Sequence, residues 1–94
     1  MILSISYELR KPGKDYEDLY NVIRSARCYC HPLTSHWLIR TELSVQTWFD
    51  KLRRVMDSND FLFIVDITDQ AYYGYLAQSV WDWMNANASK AVNY

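Results

Sequence analysis

Cys28, Cys30, His31 and His36 bring thiol and imidazole donors together in one short stretch, the residue types that hold zinc. Their spacing argues against a zinc site. A zinc knuckle separates its cysteines by two or more residues, whereas only Tyr29 lies between Cys28 and Cys30. On a strand both thiols share one face and His31 points away from them, so the expectation is a pair of buried, inert thiols.

Arg10, Lys11 and Lys14 form a basic loop ahead of a helix start, where phosphate is ordinarily welcome. Asp15, Glu17 and Asp18 occupy the same first turn and oppose an anion. Lys51, Arg53 and Arg54 add positive charge further on, diluted by Asp50 and Asp57. Both groups read as solvated polar surface, with nucleic acid as the alternative ligand. Tyr72, Tyr73, Tyr75, Trp81 and Trp83 can stack on bases, but aromatic anchors serve protein interfaces more often. The chain has no Ser-His-Asp set, phosphate-binding Gly loop, H-E-x-x-H motif or dinucleotide fingerprint.

The elements that position these groups follow from periodicity. Leu3, Ile5, Tyr7 and Leu9 alternate with Ser4, Ser6 and Glu8, the period of a strand with one buried face. Pro12-Gly13 breaks it, and Asp15 can cap a helix carrying Tyr16, Leu19, Tyr20, Ile23 and Ala26. Two short strands, about 28–32 and 35–41, meet near Pro32–Thr34. Ser44 caps a second helix with Val45, Trp48, Phe49, Leu52, Val55 and Met56 on its stripe. Phe61–Thr68 alternates as a last strand, with Phe61, Phe63, Val65 and Ile67 expected toward the core. Leu76–Asn85 reads as a short helix capped by Ser79, and 86–94 as a flexible tail.

This order predicts one α+β domain over 1–85, a ferredoxin-like βαββαβ sandwich. Its antiparallel sheet has order 4-1-3-2, two helices on one face and a short C-terminal extension. The other face would carry Ser4, Ser6, Glu8, His36, Leu38, Arg40, Leu62, Ile64 and Asp66, and Leu38, Leu62 and Ile64 make it too apolar to be left in water. A second copy or the segment with Trp81 and Trp83 would cover it, so a homodimer is expected. With the first and third strands parallel, Glu8 and Arg40 would form an ion pair on that face.

Half the residues are hydrophobic and the net charge is −1, so no global field draws the chain to nucleic acid or membrane. MILSISYELR lacks the positive start of a signal peptide, and no apolar run reaches about 18 residues. The expectation is a cytoplasmic protein with reduced cysteines and no membrane partner.

The runs SYELRKPGKDYEDLYNVI, HPLTSHWLIRTELS, DSNDFLFIVDI and GYLAQSVWDWMN resemble the SinR-like group of small bacterial and phage proteins. That group is similar to the CRISPR-adaptation family that dimerises beside the integrase, and more distantly to virulence-associated protein D. The resemblance covers about residues 3–85. It implies a ferredoxin-like homodimer acting as a scaffold for protein or nucleic acid, in phage–host or toxin-like systems. Some members are metal-dependent nucleases that use an Asp ending the first strand of both protomers. The matching residue is Glu8, whose longer side chain moves the ligand by roughly one bond length at a site where Mg²⁺ demands near-octahedral geometry. The alternative reading is therefore a Mg²⁺ or Mn²⁺ nuclease with paired Glu8 carboxylates. Outside that reading no cofactor is implied, and the basic loop of Arg10, Lys11 and Lys14 would meet nucleic-acid backbone.

Overall fold

The computed structural model describes residues 1–87. Its elements are β1 (Ile2–Glu8), α1 (Glu17–Arg24), β2 (Tyr29–Leu33), β3 (His36–Arg40), α2 (Val45–Arg53), β4 (Phe61–Asp66) and α3 (Gln78–Asn87). The strands form one sheet of order β2-β3-β1-β4, or β4-β1-β3-β2 from the opposite edge. Every neighbouring pair is antiparallel. The α1 crossover returns β2 parallel to β1, and the β2–β3 hairpin then inserts β3 between them, antiparallel to both. The expected parallel pairing of the first and third strands is thereby corrected.

The main core lies between one sheet face and the helices α1 and α2. Leu3, Ile5, Tyr7, Trp37 and Ile39 meet Leu19, Ile23, Trp48 and Leu52 there. Gly13, at φ 78°, makes the turn out of β1 that a side chain would resist. Asp15 accepts the Glu17 N–H at 2.9 Å, although the residue at the cap position itself is Tyr16. Ser44 caps α2 by accepting the Thr47 N–H at 3.1 Å. Phe49, expected on the buried stripe of α2, is exposed instead. Pro32 is tolerated within β2 because this is an edge strand, irregular between Cys30 and Leu33.

The phase of β4 reverses the expectation. Ser6 opposes Phe63 and Ile5 opposes Ile64, so Leu62 and Ile64 face the main core and pack against it. Phe61 and Phe63 occupy the other face, 59% and 69% exposed. Strand side chains alternate with period two, so a shift of one residue exchanges the two sets. An all-apolar run such as Phe-Leu-Phe-Ile-Val gives no internal sign of which set belongs inside.

Helix α3 makes a third layer on that second face. It begins at Gln78, so Ser79 lies inside it rather than capping it, and it includes Ala86 and Asn87. The remainder of the expected tail, 88–94, lies outside the described residues. Among the described residues no helix is long and apolar enough to cross a membrane.

Candidate functional site

The second sheet face is divided between a covered end and an open end. Val80 and Met84, four residues apart on α3, pack on Ile2 and Leu38, with Cys30, Ile67, Tyr72, Leu76 and Trp83 around them. Leu38 is consequently 5% exposed and takes no part in an open surface. Trp83 packs in this cluster, while Trp81 stacks on Tyr72 with centroids 6.3 Å apart. α3 leaves uncovered the corner where β1 ends and β4 begins. There Ser6, Glu8, Phe61 and Phe63 line a shallow hollow of about 220 Å³.

Glu8 is exposed and lies 3.5 Å from the Arg10 guanidinium, which also sits 5.2 Å above the Phe61 ring. The expected Glu8–Arg40 pair does not exist. In the antiparallel register Arg40 opposes Ile2, six residues from Glu8 and about 20 Å away along the strand. Asp66, opposite Leu3, lies at that same distant end. The other cations of the loop are also engaged: Lys11 lies 3.6 Å from Asp57, and Lys14 sits 5.0 Å above the Tyr16 ring. These groups do not converge on a single point where a phosphate could be held by all three.

Asp60 holds the base of this corner together. It is 6% exposed, and its Oδ1 accepts the Arg10 N–H at 2.7 Å and the Tyr16 hydroxyl at 2.8 Å. Its Oδ2 accepts the Asp57 N–H at 2.8 Å. Burial pushes the carboxyl's pKa up, but these donors, with Lys14 nearby, outweigh burial and hold it below the usual carboxylate range. One carboxylate thus joins the end of β1, the start of α1 and the segment after α2.

The cysteine–histidine stretch is dispersed by the fold. Cys28 Sγ donates to Asn87 Oδ1 at 2.9 Å, tying the residue ahead of β2 to the end of α3. Cys30 packs into the second cluster, and burial, with Cys28 beside it, pushes its thiol up to about 11. His31 stacks on Trp37 at 3.8 Å, and its Nε2 donates to the Thr34 carbonyl at 3.1 Å. His36 lies on the second face, 2.7 Å through Nε2 from Ser4 Oγ. Among the described residues no group of three or more His, Cys, Asp or Glu side chains is placed to hold a metal ion.

Sequence reasoning overlooked Asp60 and the Ser4–His36 contact, and it put Phe61 and Phe63 on the wrong face. Asp60 had a usable signal, an acid directly ahead of an apolar strand, where burial demands donors. Ser4 and His36 are 32 residues apart, and only the β1–β3 register makes them neighbours. The sequence matches no protein-family model and no curated protein.

Proposed function

We propose that this chain is a ferredoxin-like interaction module that works as a homodimer, joined at the corner of Glu8, Phe61 and Phe63. The observation that carries the reading is the exposure of Phe61 and Phe63 on an edge strand, at 59% and 69%, beside a face otherwise covered by α3. Apolar rings on an unpaired strand edge invite pairing with another chain. Glu8 and Arg10 give the same corner both signs of charge, which a two-fold axis can set against each other across the contact. The resemblance to SinR-like and CRISPR-adaptation proteins supports a cytoplasmic scaffold for protein or nucleic acid in phage–host or toxin-like systems. Sedimentation equilibrium tests the dimer: the wild type should associate at micromolar concentration, and Phe63→Glu should shift it to monomer. A wild type that stays monomeric throughout would sink the reading.

A metal-dependent nuclease is the second reading, favoured by the exposure of Glu8 beside the same apolar corner. A two-fold contact there brings two Glu8 carboxylates near each other, and a shared Mg²⁺ or Mn²⁺ can then bridge them through oxygen ligands. Under this reading Glu8→Gln abolishes Mn²⁺-dependent cleavage of RNA or DNA, and sedimentation of the same variant separates loss of chemistry from loss of the dimer. Cleavage that survives Glu8→Gln removes Glu8 from the chemistry.

A further inference from the structure

The four-stranded sheet has two edges, β2 and β4. The β2 edge is blunted: Pro32 has no N–H to offer, the strand is irregular between Cys30 and Leu33, and α3 lies against it. β4 carries no such guard. It runs from Phe61 to Asp66 without proline, its register with β1 is unbroken, and Asp66 at its end is its one charged residue. Among the described residues no strand pairs with its outer side. The phase of its backbone follows from the ladder. Ile67 N–H donates to the Ile2 carbonyl at 2.9 Å on the β4 side of β1, and Tyr7 N–H to the Ser35 carbonyl at 3.1 Å on the β3 side. Antiparallel bonding alternates residue by residue. Phe61, Phe63 and Val65, opposite Glu8, Ser6 and Ser4, therefore bond to β1. Leu62 and Ile64 turn their N–H and C=O groups to the open edge.

We infer that β4 pairs antiparallel with β4 of a second copy, on a two-fold axis at Phe63, joining the two sheets into one. The inference rests on the dimer reading and states how that dimer is built. On this axis Leu62 of each copy exchanges N–H···O=C bonds with Ile64 of the other, which satisfies the outward groups of both. Phe63 then faces its own counterpart in a non-hydrogen-bonded pair, where Cα atoms approach to about 4.5 Å, and Phe61 faces Val65. The rings left 59% and 69% exposed thus become one apolar strip across the contact. An axis at Ile64 would also match outward groups, but it sets Phe63 against Val65 and holds the two Phe63 rings apart. The two-fold also brings opposite ends together. Arg10, above Phe61 at one end of β4, comes beside the end that Asp66 closes in the second copy. The blunted β2 edge stops the sheet from growing further, so association closes at two copies.

Amide exchange and an isotope-filtered NOE test the pairing, with sedimentation run on the same samples. In the wild-type dimer the Leu62 and Ile64 amides should exchange at least about tenfold more slowly than in Phe63→Glu, since pairing shields them only while the dimer holds. The Val65 amide, already bonded to β1, shows how much of that slowing is global and should change less. A mixed dimer of labelled and unlabelled wild type should give an NOE between the Phe63 Hα protons of the two copies, a readout that needs no variant. A dimer whose Leu62 and Ile64 amides exchange as fast as in Phe63→Glu, or that lacks this NOE, overturns the strand pairing and leaves the dimer reading standing. A Phe63→Glu chain that stays dimeric overturns the axis at Phe63. A wild type that stays monomeric overturns both readings, and assemblies that grow beyond two copies overturn the closure.

Discussion

Asp60 shows how much one side chain can hold. Its three donors come from Arg10, Tyr16 and Asp57, which belong to separate parts of the chain. Asp60→Asn keeps the shape but removes the charge and presents an N–H₂ group to donors, so about 1–3 kcal/mol of stability should be lost in urea unfolding. The pH dependence follows from the lowered pKa. The unfolded carboxyl takes up its proton near pH 4 and the folded one only below that. Stability from Asp60 is therefore complete above about pH 4 and lost as pH falls through the folded pKa. Urea midpoints measured from pH 6 down to pH 3 should fall steeply for the wild type and less for Asp60→Asn.

Among the elements, β4 is the one whose placement changes the function assigned to its residues. Its register sets Ile64 against Ile5, which is fully buried, and leaves Phe63 on the open face. Adjacent substitutions report that phase directly. Ile64→Asp places a carboxylate against the main core and should cost about 2–5 kcal/mol. Phe63→Asp should change the unfolding free energy of the dilute monomer by less than about 1 kcal/mol. The opposite ranking would mean that β4 pairs one residue out of register. Most of this architecture is legible in the chain: the alternation in β1, the Ser44 cap and the stripe of Trp48 and Leu52 all announce themselves locally. The phase of β4 is not legible, because Leu62, Phe63 and Ile64 satisfy either face equally well.

At the scale of the whole molecule, the sheet is covered by α1 and α2 on one side and only partly by α3 on the other. The division separates two surfaces of different character, an apolar corner at Phe61 and Phe63 and a half-open cleft at Ser4 and His36. The proposed dimer would make stability depend on concentration, since association stabilises only the folded chain. The wild-type melting temperature should rise with protein concentration over the micromolar range, and Phe63→Glu should remove that dependence.

Local periodicity determined where the strands and the two main helices lie and most of the core residues that β1, α1 and α2 bury, because amphipathic spacing is written residue by residue. The fate of Glu8, Arg40, Ser4 and His36 depended on the pairing of distant strands. An antiparallel register separates Glu8 from Arg40 by the length of β1 and brings His36 beside Ser4. Hydrogen-bonded pairing has no signature in either strand alone, so that decision belongs to the tertiary structure.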